Sequence, residues 1–355
     1  MNDLWFVKES VKQLGAYHLE PYAHRVKLNQ NENPYDVPDA IKREVLERFS
    51  REAWCRYPPF VPQDLHRALA SHYGVDEDCV LAGNGSNEVL YAAMAVCLGP
   101  GDRVLIPVPT FTLYALLAKV FGAEAVTMPL EADMTLDANR LIEEANRVDA
   151  RVICLCSPNN PTGRQYPRAD VERIIRSVKG LVLLDEAYVE FAPESLTQLA
   201  FKYPNVAVFR TFSKAMAYAG LRLGTMIAPA PLVTEVAKGK LPYAINTFST
   251  LAAIVACEQA ALLQPVIQRL RASRDRLVTD LGGIPGVRPY PTQANFVLAQ
   301  LDRPVRAVFD AMLADGILIR DVSSYPGLTG HVRISVGTGL EIEQALASLA
   351  TAMKA

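Results

Sequence analysis

Four short apolar runs punctuate the middle of the chain: Val104–Val108, Val152–Cys156, Leu181–Leu184 and Val206–Phe209. Each is partly β-branched and bounded by polar or turn residues, so each reads as a buried strand. Between two of them Val171, Ile174, Ile175 and Val178 recur at helical spacing, with Pro167 just before and Gly180 just after as breakers. Strand and helix alternate in this way from about residue 80 to about 230. The expected fold class is α/β, with a large domain whose mostly parallel sheet is covered by helices on both faces.

The pattern then changes. Residues from about 248 to 282 read as one long helical region. Short strands near 295–299, 317–320 and 332–336 follow, alternating with helices and ending in Leu340–Met353. That is the pattern of a smaller α+β domain. The first 40 residues carry little periodicity and are expected to wrap onto this smaller domain. The chain's 355 residues exceed what one core usually supports, since single cores stop growing at roughly 250–300 residues. The expected division is an N-terminal segment 1–40, a large domain 41–245 and a small domain 246–355.

Composition acts mainly by exclusion. The 36 basic and 38 acidic side chains leave a net charge of −2, which gives no reason to expect a nucleic-acid or anionic-membrane partner. Nothing approaches the ~20 apolar residues that span a bilayer, and the opening MNDLWFVKES lacks the basic-then-apolar pattern of a signal peptide. The six cysteines are scattered without metal-ligand spacing, and Cys154 and Cys156 lie two apart on one expected strand, facing the same way. Reduced core thiols in a cytoplasmic protein, with no bound metal, are the expectation.

Four local motifs carry candidate chemistry. The first, Gly83-Asn84-Gly85-Ser86-Asn87-Glu88, precedes the apolar Val89–Met94. A glycine-rich turn opening a helix offers free N–H groups and the positive end of the helix dipole to a phosphate; the same residues could equally make a plain capped turn. The second, Ser157-Pro158-Asn159-Asn160-Pro161-Thr162-Gly163, follows the run ending at Cys156. Loops at the carboxyl ends of strands are where α/β sheets bind ligands, although Pro and Gly also make ordinary turns. The third, Asp185-Glu186-Ala187-Tyr188, follows Leu181–Leu184. An aspartate at the end of a buried strand is costly without a cationic partner, unless it caps a helix. The fourth is Thr211-Phe212-Ser213-Lys214-Ala215-Met216, with Gly220-Leu221-Arg222-Leu223-Gly224 behind it. A lysine desolvated among small and apolar residues becomes a nucleophilic amine, and Ser213 and Arg222 suit a phosphate. A lone lysine would simply be a solvated charge.

In this order and spacing the motifs resemble the aspartate-aminotransferase superfamily, the fold-type I enzymes that use pyridoxal 5′-phosphate (PLP). Within it the chain resembles the histidinol-phosphate aminotransferase family from about residue 20 onward. Weaker family signals are Leu28-Asn29-Gln30-Asn31-Glu32-Asn33-Pro34, Arg56-Tyr57-Pro58 and Arg333-Ile334-Ser335-Val336-Gly337. The chain lacks the acidic residue that many members carry in the Asn84–Asn87 stretch and the one expected after Pro58-Pro59, which touches fine specificity rather than catalysis.

The resemblance implies a role for each matching residue. Lys214 bonds to the cofactor's aldehyde and later moves the proton. Asp185 pairs with the pyridinium nitrogen and keeps the ring an electron sink. Asn160 and Tyr188 hydrogen-bond the ring's 3′ oxygen, and Phe111, where many relatives carry Tyr, stacks on the ring. The amides of Gly85 and Ser86, with Ser213, Arg222 and Thr211, hold the phosphate. Tyr57 reaches the cofactor of a second subunit, which implies a homodimer with shared sites; read alone it is an aromatic buried before Pro58-Pro59. Arg333 and Arg320 bind the substrate anion, with Tyr22 reaching the same group and Asn160 assisting, although Arg320 could instead pair with Asp321. The small-molecule partners implied are histidinol phosphate as amino donor and 2-oxoglutarate as 2-oxo acid, giving imidazole acetol phosphate and glutamate in histidine biosynthesis. An aromatic amino-acid aminotransferase, or a PLP decarboxylase of a phosphorylated amino acid, is the alternative on the same scaffold. A PLP-sensing regulator would need a DNA-binding module, of which the sequence gives no sign.

Overall fold

Every residue of Val152–Cys156 is buried, so this strand has to be covered on both faces. The computed structural model, which describes residues 4–15 and 20–354, supplies that cover. After the two-residue strand Val26–Lys27 (β1), seven strands build one sheet: β2 (Val80–Gly83), β3 (Arg103–Val108), β4 (Glu124–Pro129), β5 (Val152–Cys156), β6 (Leu181–Asp185), β7 (Val206–Thr211) and β8 (Gly224–Ile227). Their order is β2-β8-β7-β6-β5-β3-β4. All pairings are parallel except those of β8, which runs against both β2 and β7. Side chains alternate along β5. Cys154 and Cys156 pack with the helices Ser86–Cys97 and Leu113–Phe121, through Val89, Met94, Tyr114 and Leu117. Ile153 and Leu155 pack on the opposite face with Leu141, Val171, Ile174 and Ile175. Each fully buried aliphatic side chain contributes roughly 1.5–3 kcal/mol relative to exposure. The helix over Val171–Ile175 runs Arg168–Ser177, so Val178 falls just beyond its end.

The expected single helix over 248–282 is two, Thr247–Glu258 and Gln264–Gly282, with a short 3-10 turn between them and a bend of 77°. The bend separates two cores. Ala252, Ala253, Val255 and Ala256 pack with Ile41, Val45, Leu65 and Leu69 of the helices Asp39–Ser50 and Gln63–Tyr73, beside Phe212 and Tyr218. Ile267, Leu270, Leu277 and Leu281 pack instead on the smaller sheet. This carries the large unit past the expected boundary at 245, to the break around 259–263.

The smaller sheet is made of β9 (Val287–Pro289), β10 (Phe296–Leu301), β12 (Arg320–Asp321) and β13 (His331–Ser335), in the antiparallel order β12-β13-β10-β9. Between them β11 (Ile317–Leu318) pairs in parallel with β1, and β12 (Arg320–Asp321) leads toward β13 (His331–Ser335). Val26 and Leu28 join this smaller core. The N-terminal segment is therefore divided. Lys8 Nζ donates to the Val120 carbonyl on the large unit, whereas Tyr22 packs on the small core and backbone pairing with the small unit starts at Arg25. Residues 1–3 and 16–19 of that expectation lie outside the described residues.

Two arginines of the long helix tie the units together. Arg271 donates to the carbonyls of Glu190 and Ala192 at 2.6–3.0 Å, and Arg274 to that of Phe191 at 2.8 Å. These carbonyls belong to the turn that follows the third motif.

Candidate active site

Because β2, β3, β5, β6 and β7 are parallel, the loops after them open on one edge of the sheet. The antiparallel β8 starts at that edge, with Gly224 paired to Thr211 on one side and to Gly83 on the other. The Gly85–Ser86 turn, Phe111, Asn160, Asp185, Lys214 and Arg222 consequently meet around one cavity of about 380 Å³.

The floor is acidic. Asp185 is buried, accepting from Tyr114 Oη at 2.6 Å and from the Ala187 N–H at 3.0 Å. Burial pushes its carboxyl pKa up, against the pull of these two donors. Among the described residues it has no cationic partner. Lys214 Nζ donates to the Gln30 carbonyl at 2.8 Å. Burial, reinforced by Arg333 and Arg222, brings its pKa down to about 8, with Glu32 opposing. The amine is thus part neutral near physiological pH.

One end of the cavity is built for an anion. The helix Ser86–Cys97 begins with no side-chain cap, and Ser86 and Asn87, whose N–H groups have no intrahelical partner, line the cavity. Arg222 donates to Ser213 Oγ at 3.1 Å, and Thr211 Oγ1 accepts from the Ser213 N–H at 3.1 Å. Gly85 acts differently from the expectation. Its N–H already donates to the Gly83 carbonyl at 2.8 Å. Its contribution is room: at φ 84°, a Cβ there would lie 2.5 Å from Arg222 Nη2.

The other end carries Arg320 and Arg333, in register on β12 and β13. Arg333 is buried, donating to Asn160 Oδ1 and to the Asn29 carbonyl. Arg320 makes no ion pair among the described residues, because the Asp321 carboxylate is taken up by the Ser323 N–H and hydroxyl. Phe111 and Tyr188 wall the middle.

Two expected residues stand elsewhere. Tyr22 lines a neighbouring hollow of about 240 Å³, which shares Arg320 and Asn29 with the main cavity, and packs edge-on to Phe309 at 5.5 Å. Tyr57 is 81% exposed, so it is not the buried aromatic its prolines suggested. It stacks on Tyr243 at 4.8 Å, and Phe60 meets the same ring. Sequence reasoning gave no role to Asn29, Gln30, Asn31, Glu32, Tyr114 or Tyr325. The first four and Tyr325 line the cavity. A run of five polar residues between Leu28 and Pro34 was the available signal for this stretch; Tyr114, three residues beyond Phe111, had none.

The arrangement fits PLP. A buried carboxylate without a cation suits a protonated pyridine nitrogen, an amine of lowered pKa suits an aldehyde, and the uncapped helix start with Ser213 and Arg222 suits a phosphate.

The family model for aminotransferase class I and II matches residues 23–349. Histidinol-phosphate aminotransferase of Chlorobium luteolum is 38% identical over 97% of this chain and 97% of its own length. That of Chlorobaculum tepidum is 38% identical over 93% of this chain and 96% of its own. The crystal structure of the Sinorhizobium meliloti histidinol-phosphate aminotransferase, in complex with pyridoxal-5′-phosphate, superposes with a TM-score of 0.89 at 24% identity, covering 98% and 97% of the two chains. At that identity it attests the fold. The chain belongs to the class I and II aminotransferases and, within them, to the histidinol-phosphate aminotransferase family.

Proposed function

We propose that this protein transfers the amino group of histidinol phosphate to 2-oxoglutarate, using PLP held on Lys214. The observation that carries the reading is the one cavity that Lys214, the uncapped helix start, Arg320 and Arg333 line together, with the two arginines in register. Bound there, PLP supplies an aldehyde that takes up amines and a ring that draws off the electrons of a broken C–H bond.

The chain's own groups do the rest. Asp185 holds the proton on the pyridine nitrogen. Asn160 and Tyr188 donate to the ring's 3′ oxygen, and Phe111 covers one face. Ser86, Ser213, Thr211 and Arg222 fix the phosphate. Lys214, with its amine of lowered pKa, would move the proton at the amine-bearing carbon. Arg333 takes the anion of either substrate. Arg320, beside it, adds the second cation that favours a phosphate over a carboxylate. Tyr22 would reach this phosphate only from the neighbouring hollow that shares Arg320.

The exposed aromatic cluster around Tyr57 supports a homodimer in which Tyr57 completes the other subunit's site. No single helix among the described residues is long and apolar enough to cross a membrane. The six free cysteines suit the cytoplasm. Two units, divided near 259–263 and bridged by the segment from Arg25 to Asn33, complete the reading.

The test measures each half-reaction separately by the change in the cofactor's absorption. Arg320→Ala should lose about ten- to a hundred-fold in kcat/KM for histidinol phosphate, the worth of one charged hydrogen bond, and less for glutamate. Equal losses would remove Arg320 from the phosphate. Faster wild-type reaction with phenylalanine, or release of CO2 from a phosphorylated amino acid, would favour the alternative chemistries.

A further inference from the structure

The strap Leu28–Pro34 holds one residue with an unusual set of contacts. Asn31 is 1% exposed and has a φ of 55°, a left-handed conformation that asparagine tolerates better than most residues. Its backbone N–H donates to Ser335 Oγ at 2.9 Å, and the Ser335 hydroxyl donates to Asn31 Oδ1 at 2.9 Å. Its Nδ2 donates to Tyr188 Oη at 3.1 Å, and Asn295 Nδ2 donates to its carbonyl at 3.0 Å.

These contacts set directions. A hydroxyl has one proton. Ser335 receives the Asn31 N–H on a lone pair, so its proton is available for Oδ1. That fixes the amide: Oδ1 faces Ser335 and the NH2 group faces Tyr188. Toward Asn31 the phenol oxygen is therefore an acceptor, and its own proton has to point away. Tyr188 lines the cavity, and burial raises its pKa, which keeps that proton in place.

We infer that Asn31, oriented by Ser335, is a positioning residue that turns the Tyr188 O–H into the cavity, to donate to an anionic oxygen on the bound ring. The inference rests on the reading that Tyr188 faces the 3′ oxygen of PLP. Ser335 ends a strand of the small unit and Tyr188 follows a strand of the large one, so the proton's direction is set across the two units.

A donor to that oxygen favours the cofactor form in which it is most negative. Losing the donor should raise the pH midpoint of the holoenzyme's visible absorption change. Asn31→Gly keeps the left-handed backbone and removes the amide. Ser335→Ala removes the hydroxyl that orients it and keeps the question open if the glycine variant does not fold. Lys214, whose Nζ lies 5.9 Å over the Tyr188 ring, and the charges of Arg333 and Asp185 stay in place in both.

The midpoint should rise by roughly half to one pH unit in Asn31→Gly, the size of one neutral hydrogen bond. It should rise less in Ser335→Ala. Adding Asn31→Gly to Tyr188→Phe should produce no further rise. If Tyr188→Phe moves the midpoint and Asn31→Gly does not, the inference fails alone. It also fails alone if Asn31→Gly acts undiminished on the Tyr188→Phe background. A midpoint indifferent to Tyr188→Phe removes the placement of Tyr188, and the inference with it.

Discussion

Lys214 is made reactive by its surroundings, and this sets a pH window. An amine attacks an aldehyde only as the free base. With a pKa of about 8, roughly half of the Lys214 amine is neutral at pH 8, whereas an unperturbed lysine would be neutral to about 0.4%. Depression of the pKa means that neutral amine accumulates as pH rises through 8 rather than 10. Covalent capture of PLP by the cofactor-free protein, followed by absorbance, should therefore accelerate with pH and level off a little above 8. A rate still climbing past about pH 9.5 would mean that burial does not govern this amine. At this scale much of the site was legible. Lys214, Asp185, Asn160 and Arg222 lie within a few residues of strand ends, so local sequence marks them. Tyr114 was not legible, because its contact with Asp185 joins positions 71 residues apart. Gly85 was legible as a residue but not in its role, since only the fold brings Arg222 against it.

The central strands announced themselves because burial on both faces leaves an unbroken apolar run, as in β5. The outer strands did not: in β4 only Met128 is buried, and β2 merges into the glycine turn. The helix break near 259–263 left one sign, which the reading of a single helix passed over. Gln259-Ala260-Ala261-Leu262-Leu263 include no glycine or proline and all suit a helix, but Pro265 follows in the first turn of the second helix, where proline favours a helix start. The fold shows what the break does. The helix that follows it carries Arg271 and Arg274, whose guanidiniums satisfy the carbonyls of Glu190, Phe191 and Ala192. Arg271→Met would leave the Glu190 and Ala192 carbonyls without this donor. Charged hydrogen bonds contribute ~1.5–3 kcal/mol each, so urea unfolding should lose about 2–4 kcal/mol. A loss under about 0.5 kcal/mol would mean that water or a neighbour replaces the guanidinium.

At the scale of the whole molecule the two units were legible, but the seam between them was not, because the strap is a matter of tertiary packing and the helix bend is signalled by Pro265 alone. Assembly was legible only through resemblance. Trp54, Tyr57, Phe60, Val61, Leu241 and Tyr243 are all exposed, and large aromatic groups left in water mark association surfaces. If Tyr57 serves the neighbouring site, mixing an inactive Lys214→Ala subunit with a subunit inactivated at Tyr57 should restore activity, because hybrid dimers regain one intact site. A fully active monomer in sedimentation, or mixtures as inactive as their parents, would contradict this. The paired arginines bear on how any such measurement is made. Arg320 and Arg333 stand in register on adjacent strands, and two like charges held side by side attract whatever dianion the medium offers. Phosphate or sulfate buffer would act as a competitor, raising the apparent KM in proportion to its concentration, so kinetics recorded in such buffers would report the salt as much as the enzyme.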